Sequence, residues 1–290
     1  MTRRGALLFA AMCVIWGIPY LMIRVAVREL APVTLVFLRT GLAAALLVPL
    51  AARRAELRPL LGRWRPLLAY TAVEVAIPWV LLARAERRLT SSLTGLLIAA
   101  VPLVGALIVT VSGDRERLGS RRWLGLLVGL GGVAAIVGLD VGTVSIVALV
   151  EVALVAVGYA VGPLILARQL RELAPLGVVA ASLALCALFY APLAATHRPS
   201  AMPSAHVLES VVGLALVCSA AAFLIFFALI AEVGPLRATV ITYVNPAVAA
   251  VLGVALLDEH VTAGMVIGFA LVLLGCVLAT GRSPEAVAES

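Results

Sequence analysis

Ten apolar runs, each long enough to cross a lipid bilayer, constrain this chain more than any other feature. They lie at roughly 5–24, 32–51, 66–83, 92–111, 123–139, 144–167, 175–195, 208–231, 236–257 and 263–280. About 20 apolar residues in a helix span a hydrocarbon core about 30 Å thick. With no water in that core, every backbone N–H and C=O must bond internally, so the spans are predicted to be helices. Barrel strands would alternate apolar and polar residues, and these runs do not. Composition agrees: 63% of the 290 residues are apolar and 13% charged, and the mean hydropathy is +1.15. A soluble domain carries roughly a quarter charged residues. The expected fold class is therefore an all-α integral membrane protein of ten transmembrane helices, with the bilayer as its first partner.

The charges set an orientation. All 22 basic residues are Arg, and the net charge is +7. With the N-terminus inside, the cytoplasmic face holds 15 Arg and the opposite face six, with Arg39 inside a span. The positive-inside rule then places both termini in the cytoplasm of a multi-pass protein of the cell (inner or plasma) membrane. Arg84, Arg87 and Arg88 run against the rule and are partly offset by Glu86. The Arg residues sit in short loops between apolar runs, as topology signals do, and not along a groove for phosphates, so no nucleic-acid partner is expected. Thr2-Arg3-Arg4 before an apolar run imitates a signal peptide, but no cleavage site stands out, and a retained first helix is expected. Cys13, Cys186, Cys218 and Cys276 fall in apolar runs, and His197, His206 and His260 in or near loops. Neither set has ligand spacing, so no metal or other cofactor is expected.

The chain repeats itself. Glu29-Leu30-Ala31-Pro32 recurs as Glu172-Leu173-Ala174-Pro175, 143 residues on. Pro49 and Pro192, Glu116 and Glu259, Gly125 and Gly268, and Gly132 and Gly275 keep the same offset, and Pro102 and Pro246 differ from it by one. Five spans is an odd number, so the second half enters the membrane upside down. The expected organisation is two inverted five-helix repeats, 1–140 and 141–282, followed by a cytoplasmic tail, 283–290. Inverted repeats are typical of secondary transporters, with the substrate near the midplane between the halves.

The repeat carries a family pattern. Trp16-Gly17 stands in the first helix. Each half then ends on a mid-helix proline, an acidic loop and spaced glycines: Pro102, Glu116, Gly125 and Gly132, then Pro246, Glu259, Gly268 and Gly275. In this the chain resembles the ten-helix EamA-type permeases of the drug/metabolite transporter superfamily. Trp16-Gly17 becomes Tyr159-Ala160 in the second half, so that signature is not duplicated. The resemblance implies a basket of ten helices around a central cavity that passes small metabolites such as amino acids.

Seven residues are candidates for substrate binding: Glu74, Arg39, Trp16, Tyr159, Tyr243, Asn245 and Glu151. Glu74 lies about 12 Å from the cytoplasmic edge of its span and Arg39 about 9 Å from the outer edge of its own. A charge at such depth costs about 2.5–3.5 kcal/mol on insertion scales and by default marks a pathway or proton relay. The bland alternative for Glu74 is a carboxyl kept neutral in packing. Glu151 lies at a depth similar to that of Arg39, and the two suit either a structural ion pair or a carboxylate site. Trp16, Tyr159, Tyr243 and Asn245 sit deep, as cavity walls or as packing. Tyr20, Tyr70 and Trp79 are further aromatic candidates. Arg24, near a helix end, is expected to snorkel. Asp114, Glu116, Asp258 and Glu259 at loop edges are expected to accept bonds from the next helix N-terminus.

The expected function is secondary transport of a small metabolite, most simply export by alternating access, with proton coupling through Glu74 left open. Enzymatic motifs such as HExxH and GxSxG are absent, as is the Walker motif, so neither catalysis nor ATP-driven transport is expected. The alternative is a non-transporting membrane component that helps flip a lipid carrier, for which an apolar lateral groove replaces the polar axial site. Substrate identity and oligomeric state, monomer or homodimer, are not legible.

Overall fold

The computed structural model describes residues 2–111, 120–138 and 145–280. Asp114, Glu116 and the tail 283–290 lie outside the described residues. Among the described residues nine helical stretches are long and apolar enough to cross a membrane: Arg3–Ala26, Pro32–Arg53, Arg58–Ala85, Ser91–Ile108, Ser120–Gly138, Ile146–Gln169, Pro175–Thr196, Ala205–Val233 and Ala263–Thr280. A shorter apolar helix, Ile241–Leu257, takes the ninth place in chain order, so the last stretch is span ten. The expected ten-helix, two-repeat architecture is the one observed.

Span 3 starts earlier than its hydropathy suggests. The polar stretch 51–65 was expected to be a loop, yet a 3-10 turn, Arg58–Arg63, leads directly into the helix. Pro59 near its start needs no N–H partner, and Leu60 and Leu67 are buried against Leu170 and Val178. Apolar burial at this end outweighs the local charge. Span 1 breaks at Trp16-Gly17, between helices Arg3–Ile15 and Ile18–Ala26, two residues before Pro19.

The repeat is visible in the packing. Spans 2 and 7 lie together, as do spans 5 and 10. The latter pair meets backbone to backbone: a Cβ on Gly132 would stand 2.6 Å from the Gly268 carbonyl, and one on Gly268 2.5 Å from that of Gly132. Only glycine permits such an approach. The repeated Glu-Leu-Ala-Pro motif staples one half to the other. Glu29 accepts from both N and Oγ of Ser204, each at 2.7 Å, at the start of span 8. Glu172 reaches Arg63, at the start of span 3, at 3.8 Å. The Ser204 bonds hold the exposed Glu29 carboxyl below the ordinary carboxylate range.

Glu259 does a related job, though not the one expected. It accepts not from its own next helix but from the N-terminus of span 4, in the other half. Its carboxylate takes Ser91 N at 2.7 Å, Ser92 N at 2.9 Å, and the two hydroxyls at 3.0 and 2.6 Å. Asp258 ends the preceding helix in the left-handed region, φ 55°, and so turns Glu259 toward those donors. A carboxylate at a helix N-terminus satisfies orphan N–H groups and favours the helix dipole. Glu259→Gln is therefore expected to lower stability by about 3 kcal/mol, or roughly 5–10 °C in Tm. Thermal unfolding by intrinsic fluorescence checks this. A normal Tm together with altered pH dependence of transport would assign Glu259 to the transport chemistry instead.

Candidate functional site

The local geometry of span 3 creates the site. Between helices Trp64–Tyr70 and Ile77–Ala85, residues Thr71–Ala76 form a π-helical turn. Span 8 carries a second one, Leu216–Ala221, in the equivalent part of the other half. Such turns insert an extra residue, shift the helix face and often mark functional positions. In span 3 a proline, Pro78, stands two residues past the turn. Pro78 has no N–H to give the Val73 carbonyl, its i→i+5 partner in a π turn. That carbonyl packs against Gly158 of span 6, where a Cβ would collide with it. One turn further along span 6, a Cβ on Gly162 would collide with the Glu74 carboxyl. Two glycines thus open a notch in span 6 that receives the π turn and Glu74. The hydroxyl of Tyr190, from span 7, donates to the Ala76 carbonyl at 3.0 Å.

Glu74 is half-buried, and its Oε2 is buried with no hydrogen-bond partner. Measured from the end where Ala85 and Pro32 lie, it stands about 16 Å deep and Arg39 about 10 Å, by helical rise. Arg39 is 7% exposed. Its Nε donates to Ser219 Oγ at 2.9 Å, and its guanidinium carbon lies 3.7 Å from the centre of the Trp79 ring. Ser219 belongs to the second π turn and donates onward to the Leu214 carbonyl, 2.8 Å away and five residues back, an i−5 bond that fits the turn. The two π turns thus flank Arg39: one carries its hydrogen-bond partner, and the other directly precedes the helix that carries Trp79. Among the described residues no carboxylate approaches Arg39 within 4.0 Å. A buried cation over an indole gains about 2 kcal/mol or more from the ring, which is less than desolvation costs it.

Tyr159 joins the two charges. It packs on the cluster containing Trp79 and also on the one containing Tyr20, and interacts electrostatically with both Glu74 and Arg39. The centre of the bundle therefore gathers Glu74, Arg39, Trp79, Tyr159 and Ser219 from spans 2, 3, 6 and 8. It offers a cationic hydrogen-bond donor with free terminal nitrogens at one level and an acid about 6 Å deeper. Ser219 could not be found in the sequence beyond being a hydroxyl in an apolar run. Trp79 is legible only as one aromatic among several.

The remaining candidates lie elsewhere. Glu151 does not pair with Arg39. Its carboxylate is taken by Arg84 at 2.7 Å and Arg88 at 3.5 Å, because span 6 packs its start against the end of span 3. That pairing also answers the exception to the positive-inside rule. Arg24 does not snorkel; it donates to the Glu86 carbonyl. Trp16 is half-buried at the break in span 1, 4.7 Å from Phe226 and 6.0 Å from Phe223 of span 8. Asn245 is buried, and its amide nitrogen donates to the carbonyls of Cys13 and Ile241, each at 3.0 Å. It ties span 9 to that break. Tyr243 packs in a separate cluster with Leu103 and Met265. Among the described residues no three His, Cys, Asp or Glu converge on a metal position.

Two cavities open elsewhere. One of about 690 Å³ lies between spans 4, 5 and 6, with an apolar wall that includes Leu103, Trp123, Leu127 and Ile146. The other, about 410 Å³, lies at the Thr34 end, between spans 2 and 7 and the 198–203 connector. Neither is lined by Arg39, Glu74 or Tyr159.

The chain is similar to known proteins. The model of the EamA-like transporter family matches residues 3–138 and again 146–281. A protein of Escherichia coli strain K12 named uncharacterized inner membrane transporter YedA is 27% identical over 284 residues, spanning 93% of this chain and 88% of its own. The protein of the same name from strain O157:H7 matches to the same extent. A crystal structure of a protein 20% identical superposes with a TM-score of 0.67 over 97% of each chain, a likeness of fold alone.

Proposed function

Because the chain belongs to the EamA-like transporter family, we propose that it exports a small zwitterionic metabolite, an amino acid or a related amphipathic compound, across the inner membrane by alternating access. The observation that carries this reading is Arg39: a buried cation at the junction of two halves, with terminal nitrogens uncommitted among the described residues and no acidic partner within 4.0 Å. Such a group calls for an anion, and its planar fork suits a carboxylate. Glu74, deeper on the same axis, suits the amine of the same molecule or a proton exchanged for it. Trp79 and Tyr159 supply the apolar and aromatic walls between them.

The halves 1–140 and 141–282 are the bodies that rock against each other, with the π turns of spans 3 and 8 at the contact. Both termini are cytoplasmic, by the Arg asymmetry. The chain has no Lys and so no Walker lysine, which argues against ATP as its direct energy source and favours an ion gradient. Accumulation of the substrate in cells lacking the protein, followed by uptake of that compound into proteoliposomes, tests the reading. Flux that saturates and responds to a pH gradient is expected; no metabolite difference and no flux would overturn it.

A second reading, assistance to lipid-carrier flipping, has one observation in its favour: the apolar cavity between spans 4, 5 and 6. That cavity is lined almost wholly by apolar side chains, and the reading gives Arg39 and Glu74 no task. It predicts lipid scrambling that Arg39→Gln leaves intact.

A further inference from the structure

In sequence Glu86 is a local offset to three arginines, yet among the described residues it is one of the most completely buried side chains. It caps the helix Ile77–Ala85, in the connection between spans 3 and 4, and is 0% exposed. Both of its carboxylate oxygens are buried without a hydrogen-bond partner. Arg24, the nearest cation, is spent on its backbone carbonyl. Neighbouring backbone and side chains add no donor: Arg87 donates to Leu30 O, and Arg84 and Arg88 serve Glu151.

The charged and titratable groups that face Glu86 come from four places. They are Arg24 and Tyr20 on span 1, Arg39 on span 2, Tyr159 on span 6 and Glu259 from the loop before span 10. Arg39 lies within electrostatic reach of Glu86. A carboxylate without donors in such a place is costly, whereas the neutral acid is far less so. Burial pushes the Glu86 carboxyl well above the ordinary carboxylate range; Arg24 opposes this, Glu259 reinforces it and Arg39 opposes it.

We propose that Glu86 is a proton-binding latch at its end of the bundle: protonated while that end is closed, and ionised when it opens to water. Closure then takes up one proton from that face and opening returns one. The sign follows from the burial. The closed state binds the proton more tightly, so its advantage is complete below the ordinary carboxylate range, about pH 4.3. It is lost as the pH rises through the raised value. If that face is the outer one, external acid favours the shut state after a substrate has left; the proton returns to the same face on opening, so the latch sets the pH at which that end opens and moves no proton across the membrane. This last step rests on the proposed transport; the latch itself does not.

Hydrogen exchange of the full chain in lipid nanodiscs tests the latch without a substrate, the probe being the proton. The readout is the exchange rate of the amides over residues 86–93, compared between parent and variant at each pH so that intrinsic chemistry cancels. Glu86→Gln mimics the protonated side chain. From mildly acidic to mildly alkaline pH, the parent is expected to come to exchange about tenfold faster than this variant. Arg24→Gln keeps the carboxyl but removes the charge that opposes burial, and is expected to move the midpoint upward by about one pH unit. If Glu86→Gln keeps the parent profile, or if Glu86→Gln does not fold and Arg24→Gln leaves the midpoint unmoved, the latch is wrong. A Glu86-dependent profile in a protein that shows no flux would sink the transport reading and leave the latch standing.

Discussion

Arg39→Gln is expected to weaken binding of a carboxylate-bearing substrate by about 10- to 100-fold while leaving the corresponding amide almost unaffected. The size follows from what Arg39 can give. A hydrogen bond to a charged group contributes about 1.5–3 kcal/mol, and each 1.4 kcal/mol is a factor of ten. The specificity follows from its surroundings: Nε is held by Ser219 at 2.9 Å and the guanidinium plane by Trp79 at 3.7 Å. Only the terminal nitrogens remain, so a ligand meets a fork already oriented. Folding is not expected to suffer, since replacing a buried charge that lacks a counterion removes a desolvation cost. Competition of an amino acid and its amide for uptake, in parent and variant, measures the difference. Equal losses for both would place Arg39 in general packing.

Glu74→Gln is expected to have the larger effect. Its carboxyl lies in the notch opened by Gly162, with Oε2 buried and unpartnered. Gln fills the same space, so packing survives. What it removes is the ability to change charge. If Glu74 carries the proton or holds the substrate amine, coupled flux falls by about 100-fold or more, the worth of about 3 kcal/mol in a charge-assisted contact. Equilibrium exchange of substrate between the two faces, which needs no net proton movement, falls less if Glu74 serves the proton, and as much if it serves the amine. The two roles are thereby separated.

Much of this architecture could be read from residues in order. The apolar runs give the spans, and Glu29 and Glu172 give the repeat because both staples use the same acid before the same proline. The depths of Glu74 and Arg39 follow from position within a span. Partners do not. Glu151 and Arg39 share a depth, but which arginine an acid meets depends on how spans 3 and 6 turn about their axes. Hydropathy does not record that rotation. The π turns leave only Pro78 as a trace in span 3 and no proline within the turn of span 8, so Ser219 stayed hidden. Glu86 was missed because a charged loop residue is expected in water, and only the packed structure places it inside. Trp16, Asn245 and Tyr243 look alike in sequence, as deep polar or aromatic residues, yet they pack at a helix break or in another cluster.

A substrate carried at a site spanning Arg39 and Glu74 makes flux answer to the Glu74 carboxyl. Parent and Glu74→Gln protein are reconstituted in proteoliposomes, and flux of the metabolite that accumulates in cells lacking the protein is followed across a pH series under an imposed proton gradient. Flux that the gradient drives in the parent, and that is lost or made indifferent to pH in Glu74→Gln at normal thermal stability, is the predicted result. A variant that transports like the parent at every pH would leave Glu74 as a packed neutral acid with no part in transport.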